Sequence, residues 1–176
     1  INRLDRLITD ISDASRLDSD LSKDEMINLN LTSLIDGFIT IRKEMIKGVQ
    51  FKLNLEKDLF ISGNESRLIQ VFDNLVNNSV SFSPKDGEIK IDALKIRGKI
   101  HVIISDQGRG IPKGKEDTIF DRFYSDRPSN EKFGKHSGLG LSIVKQILSS
   151  HKAKIYADNI YHRNKDIKGA KFTIIF

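Results

Sequence analysis

At 176 residues the chain is long enough for one domain with a real core, and 38% hydrophobic against 30% charged residues is a globular balance. The net charge of +5 comes from Lys and Arg scattered among Asp and Glu, with no run that would form a nucleic-acid stripe. There is no Cys, which excludes disulfides and thiolate metal sites and suits the cytosol; no apolar run approaches ~18 residues, so no segment is expected to span or touch a membrane.

The first segment places Ile1, Leu4, Leu7, Ile8, Ile11, Ala14, Leu17 and Leu21 at spacings of three and four, an amphipathic helix. It needs an apolar partner, either its own domain or the other half of a helical hairpin, and periodicity does not choose between them. The chain opens on Ile1 already in this rhythm, so a piece of a longer protein is expected. Polar residues Ser22 to Glu25 read as a linker. A short strand is expected near Ile27 to Leu29, then a helix from about Thr32 to Lys47, with Thr32 as N-cap and Gly48 as its end. Val49, Phe51, Leu53 and Leu55 alternate with polar residues as in a half-buried strand, and Leu59 to Ile61 forms another. Gly63 and Asn64 make a turn, Asn64 caps a helix from about Glu65 to Phe82, and Ser83-Pro84 breaks it. Strands follow at about Glu88 to Lys95 and Lys99 to Ser105, joined at Arg97-Gly98. Residues 107 to 137 are rich in Gly, Lys, Asp and Ser and lack periodicity, which points to a functional lid. A helix from about Leu139 to Ser150 and strands at about Lys154 to Asp158 and Ala170 to Phe176 complete the chain. Elements mixed in this way, without regular βαβ units, predict an α/β (α+β) two-layer sandwich: one mixed, mostly antiparallel sheet with helices on one face.

Four patterns carry chemistry. Asn74 and Asn78 share one helix face with Arg67, Gln70 and Ser81 near it, while Leu68, Val71, Phe72, Leu75 and Val76 fall mostly on the other. Asn is a poor residue inside a helix, and an amide oxygen is a hard ligand that suits Mg²⁺; the plain alternative is a solvated polar face. DQGRGI, Asp106 to Ile111, follows a strand directly, so Asp106 can accept from an exocyclic amine while Gly108 and Gly110 admit a flat ligand; the alternative is a tight turn. HSGLGLSIV, His136 to Val144, sets Gly138 and Gly140 before an apolar helix, where free N–H groups bind phosphate, unless this is an ordinary helix entry. IFDRFYSDRP, Ile119 to Pro128, offers Phe120 and Phe123 as lid anchors and Arg122 and Arg127 as phosphate binders, or a short helical turn with solvated arginines.

In chain order the four patterns resemble the N, G1, F and G2 boxes of the sensor histidine kinases, and GAKFTIIF, residues 169 to 176, resembles their closing G3 segment. The resemblance runs from about Leu29 to the end, and the first 22 residues look like the second helix of the family's dimerisation domain. RLDRLITDISDASRLD, NNSVSFSP, IFDRFYSDRP and SGLGLSIVKQI look most like ChvG-type envelope and acid sensor kinases. The resemblance implies the Bergerat-type ATP-binding fold shared with gyrase, Hsp90 and MutL. It divides the chain into a partial phosphoacceptor domain (1–22), a linker (23–28) and a catalytic domain (29–176) with a lid at about 112–137. It further implies that Asn78 holds Mg²⁺, with Asn74 one turn before it, and that Asp106 reads the adenine amino group. Gly108, Gly110 and Ile111 then shape the adenine pocket, Phe120, Arg122, Phe123 and Arg127 belong to the lid, and Ser137, Gly138, Leu139, Gly140 and Leu141 frame the phosphates.

The implied partners are ATP, the chain's own dimerisation domain with its acceptor histidine, and a response regulator. The parent would be a homodimeric inner-membrane sensor with this domain in the cytosol. His101, His136, His151 and His162 all lack the acid and proline that follow the family's acceptor, and none has metal-ligand spacing. One departure stands out: many relatives carry Lys or Arg and then Tyr where this chain has Ser81 and Phe82, leaving Lys85, Arg109, Arg122 and Arg127 as substitutes. Three rivals remain on the same fold. A hydrolase would need Glu where Asn74 stands; a degenerate binding module would not need the intact Asn78, Asp106 and glycines; a protein-serine kinase is disfavoured by the N-terminal helix.

Overall fold

A computed structural model describes residues 20, 21, 23–124, 138–162 and 166–176. The amphipathic helix expected at the N-terminus (apart from its end at Leu21), the later part of the lid, Arg127, His136 and Ser137 lie outside the described residues. The elements in order are β1 (Ile27–Asn30), α1 (Leu31–Met45), β2 (Val49–Leu55), β3 (Phe60–Gly63), α2 (Glu65–Phe82), β4 (Gly87–Ile96) and β5 (Lys99–Ser105). A single 3₁₀ turn (Thr118–Phe120), α3 (Gly140–Ser150), β6 (Lys154–Tyr161) and β7 (Ile167–Ile175) follow.

The main sheet has the order β2-β4-β5-β7-β6, and β1 and β3 form a separate antiparallel ribbon. Only β2 and β4 run parallel; every other neighbour in the main sheet is antiparallel. The parallel pair needs a crossover, and the segment holding β3 and α2 supplies it. β4 and β5 meet instead in a two-residue hairpin, where Arg97 (φ +50°) and Gly98 (φ +83°) give the left-handed turn that matches strand twist.

One face of the sheet is apolar by alternation. Ile89, Ile91 and Ala93 of β4, Val102 and Ile104 of β5, and Ala170, Phe172 and Ile174 of β7 are buried in one cluster with the helices. α1 adds Leu34, Ile35 and Ile39, α2 adds Leu68, Val71, Phe72, Leu75 and Val76, and α3 adds Val144, Ile147 and Leu148. The result is the expected two-layer sandwich with three helices over a mixed sheet. Leu21, just ahead of β1, is buried in the same cluster.

Four local expectations need correction. The N-cap of α1 is Asn30, whose side chain accepts from Ser33 N at 3.0 Å, not Thr32. The Thr32 hydroxyl is spent elsewhere, donating to Glu56 O at 2.7 Å and accepting from Leu59 N at 3.2 Å. α1 ends at Met45, ahead of Gly48, which serves the turn into β2 with φ +81°. Gly63 belongs to β3, not to a turn, and pairs with Ile27. β6 and β7 are longer than their alternation implies, because their ladder continues through Asn159 and Gly169, with an irregularity at Ile160/Tyr161.

His151 joins α3 to α2. Its Nε2 accepts from Asn64 N at 3.0 Å, and its Nδ1 lies 2.8 Å from Ile147 O, so the proton sits on Nδ1. Asn64 in turn caps α2 by accepting from Arg67 N at 3.1 Å. Both ring nitrogens serve packing, which gives this histidine a structural role.

Candidate functional site

The site begins on α2. Asn74 Nδ2 donates to Gln70 O at 2.9 Å, which fixes the amide and turns Oδ1 away from its own helix. That oxygen faces the start of α3, where a Cβ on Gly140 would lie only 2.9 Å from it. Gly140 therefore lets the two helices approach where a side chain would not fit. Asn78, one turn on, makes no side-chain hydrogen bond among the described residues and is free to take a ligand. The neighbouring flank is held from α1: Arg42 bridges Asp73 Oδ1 at 3.0 Å and Asn77 Oδ1, while Asn77 Nδ2 donates to Asp73 Oδ2 at 2.8 Å.

Asp106 lies beside the same helix. It follows β5 and is 4% exposed. Its Oδ1 accepts from Gly108 N at 2.9 Å and Ala170 N at 3.1 Å, and its own N–H donates to Ala170 O at 3.0 Å. Oδ2 receives neither of these donors. Burial pushes the carboxyl pKa above its ordinary value, and the two backbone donors pull the other way without cancelling it. Ser79, fully buried on α2, sits close enough to favour the charge but makes no hydrogen bond of normal geometry. It occupies the apolar stripe of α2, and a lone hydroxyl in such a stripe is the signal that could have revealed it.

The loop after Asp106 is shaped by contacts that exclude side chains. A Cβ on Gly108 would meet Phe82 O at 2.8 Å, and one on Gly110 (φ +77°) would meet Ile167 Cγ2 at 2.4 Å and Asn159 Oδ1 at 2.5 Å. Asn159 on β6 then grips Ile111 twice, accepting from its N–H and donating to its carbonyl, both at 2.7 Å. This is a strand-like pairing made by a side chain, 48 residues distant in sequence, and nothing in the local pattern announces it. Asn159→Ala leaves both buried backbone groups of Ile111 unpaired. We expect it to cost about 1–3 kcal/mol of stability and to speed amide exchange at Ile111. Unchanged exchange there would show that the loop is held by other means.

At the lid, Ile119 and Phe120 are buried, and Phe120 packs edge-on against Phe172 at 6.4 Å between ring centroids. Lys145 of α3 covers the Phe120 ring at 5.9 Å. Phe123 differs from expectation as an anchor: it is 53% exposed, because φ +65° turns its side chain outward. Its backbone does the fastening, with Phe123 N donating to Gly138 O at 3.1 Å, and a Cβ on Gly138 (φ +76°) would strike that backbone. Arg122 is exposed beside it. Leu139 is buried, Leu141 is half-buried, and α3 starts without a side-chain cap among the described residues. The structure thus brings Asn74 against Gly140 at the start of α3, and Asp106 and Gly108 against Phe82 at the end of α2.

Residues 63–176 match the family model described as histidine kinase-, DNA gyrase B-, and HSP90-like ATPase. Sensor protein ChvG of Rhizobium meliloti (strain 1021) is 39% identical over 185 residues, covering 99% of this chain and 32% of that protein. The chain therefore spans about a third of the length of such relatives. Among solved structures, mycobacterial sensor histidine kinase MprB superposes with a TM-score of 0.74 at 25% identity, over 86% of this chain and 96% of that one. Histidine kinase ThkA in complex with response regulator protein TrrA superposes with a TM-score of 0.75 at 26% identity, over 99% of this chain and 48% of that one. The chain belongs to the histidine kinase-, DNA gyrase B- and HSP90-like ATPase family as a sensor histidine kinase catalytic domain.

Proposed function

We propose that this domain presents ATP, with Mg²⁺, to a histidine on the dimerisation domain of its parent protein, which relays the phosphoryl group to an aspartate of a response regulator. The observation that carries the reading is Asp106: a buried carboxylate with one oxygen tied by two backbone donors and the other left for an exocyclic amine. Gly108, Gly110 and Ile111 shape the base pocket. Gly138, Leu139, Gly140 and Leu141 carry the phosphates on the first turn of α3, with Ser137, Phe120, Arg122, Phe123 and Arg127 contributing from the lid. Asn74 orients the phosphate side of the cleft.

The donor set suits Mg²⁺ that arrives with the nucleotide. No cluster of three or more His, Cys, Asp or Glu exists among the described residues to cage an ion, whereas Asn78 offers one hard amide oxygen without a competing partner. When bound, the ion neutralises charge on the phosphate oxygens. The chain's own contribution is positioning and fixed dipoles. Asn74 argues for transfer over hydrolysis, since an amide cannot deprotonate water as a glutamate would.

Residues 1–22 then belong to the phosphoacceptor domain, 23–28 to a linker and 29–176 to the catalytic domain with its lid at about 112–137. The parent is a homodimer, and this part of it works in the cytosol beneath an inner-membrane sensor. No helix among the described residues is long and apolar enough to cross a membrane.

The test uses radiolabelled ATP. The chain alone should bind it without labelling itself, and should label an added phosphoacceptor domain of its parent but not the His→Ala form of that domain. Transfer should be slow, because the covalent link that supplies effective concentration is missing. Acid-labile label on the chain alone would contradict the missing acceptor, and rapid phosphate release without label would favour the hydrolase reading.

A further inference from the structure

The buried residues of α2 are Leu68, Val71, Phe72, Leu75, Val76 and Ser79, so a single hydroxyl stands in an otherwise apolar set. A serine inside a helix has a partner within reach, the carbonyl one turn back. Ser79 does not take it: its Oγ is buried and makes no hydrogen bond among the described residues. Alanine would occupy the same place without burying a polar atom, so packing alone does not explain the hydroxyl.

The group beside it is Asp106. Ser79 is near enough to favour the charged form of that carboxylate, against burial, which raises its pKa. The other influences on the charge are backbone, the N–H groups of Gly108 and Ala170. Both of those bond to Oδ1, at 2.9 Å and 3.1 Å, and Oδ2 receives neither. The end of α2 is held close to this carboxylate by Gly108, where a Cβ would lie 2.8 Å from Phe82 O and 3.0 Å from Asp106 Oδ1. Rotation about χ1 turns a serine hydroxyl without disturbing its helix.

We propose that Ser79 is a positioning residue of the base site, donating its hydroxyl to the Asp106 carboxylate when a purine with an exocyclic amine is bound, and so favouring an amino over an oxo base. The inference rests on the nucleotide site proposed above and adds a residue to it. An ionised carboxylate only accepts, so it takes the 6-amino group of adenine and opposes the 6-oxo group of hypoxanthine, whereas a protonated one would donate to the oxo group. A donor beside the carboxylate favours the ionised form and with it the amine.

ADP and IDP, each with Mg²⁺, would be titrated by calorimetry into the full chain and its variants, with melting temperatures measured in parallel. Ser79→Ala should weaken ADP by about tenfold, leave IDP within about twofold and melt no lower than the unaltered chain. Ser79→Cys keeps the side-chain shape with only a weak donor, and should lose ADP as the Ala variant does. In an Asp106→Asn background, Ser79→Ala should weaken ADP by no more than about twofold further, because the carboxylate it acts through is gone. Equal losses for ADP and IDP, a Cys variant that binds like the original, additive losses in the double variant, a lower melting temperature for Ser79→Ala, or unchanged ADP affinity would each overturn the proposal. Failure of the nucleotide site itself reads differently: the unaltered chain would bind neither nucleotide, or Asp106→Asn would bind ADP as well as the original does.

Discussion

Asp106→Asn should lose ATP affinity by about tenfold to a hundredfold, as expected for a hydrogen bond to a charged acceptor worth ~1.5–3 kcal/mol, yet melt at the same temperature or higher near neutral pH. Asn at this position keeps an oxygen for Gly108 N and Ala170 N, so the loop is preserved. What disappears is the carboxylate oxygen proposed to accept the amine. The stability half follows from burial, which raises the carboxyl pKa of the folded chain above the ordinary 3.8. A raised folded pKa means the neutral form is favoured in the folded state. That contribution to stability is fully present below 3.8 and is lost as pH rises through the folded value. Above the folded value the unliganded protein carries a buried charge that the variant lacks. Melting curves for both proteins across pH should converge in acid and separate above it, with the variant on top. Unchanged ATP affinity, or a variant less stable at neutral pH than the original, would remove Asp106 from its assigned role.

Gly169→Ala should be the most damaging conservative change in the sheet. A Cβ at 169 would lie 1.8 Å from Asp106 O, against backbone that cannot rotate away. Relief requires β7 to separate from the chain after β5, which breaks the paired bonds Asp106 N to Ala170 O (3.0 Å) and Ala170 N to Asp106 Oδ1 (3.1 Å). We expect a loss of about 3 kcal/mol or more, at the upper end of overpacking costs, together with loss of nucleotide binding. Gly37→Ala is the control: nothing lies within 4 Å of its Cβ and it sits inside α1, so a gain of about 0.5–1 kcal/mol is expected there. Thermal or urea unfolding of both variants measures the contrast. A Gly169→Ala protein as stable as the original would mean the two segments have room that the geometry denies them.

What was legible in the sequence was what depends on near neighbours. Asn64 capping α2, the apolar stripe of that helix, the Ser83-Pro84 stop and the Arg97-Gly98 turn each act within a few residues, and each lies where its local chemistry puts it. The illegible parts are pairings across the chain. Thr32 and Asn30 are both good caps, and the choice between them is made by Glu56 and Leu59, which claim the threonine hydroxyl. Asn159 reads as an ordinary polar strand residue until Ile111 is beside it. Gly169 carries no signal of its contact with Asp106. The order of the glycine-rich segments along the chain, rather than any one of them, pointed to the family, because each alone is also an ordinary turn or helix entry.

The position of β7 has a consequence for how the molecule is made. β7 lies between β5 and β6 in the sheet, although every other strand precedes it in the chain. A nascent polypeptide emerging from the ribosome can complete β2, β4 and β5, but β6 has no neighbour to join until residues 167–175 have been delivered. Ala170, which pairs with Asp106 through both its N–H and its carbonyl, arrives in that same last stretch. Until then the emerging polypeptide exposes the flank of β5 and a stranded β6, a form open to chaperones and to mispairing with neighbouring copies. Pairing of Asp106 with Ala170 is thus timed to coincide with closure of the sheet, and a chain truncated before residue 167 would arrive with neither.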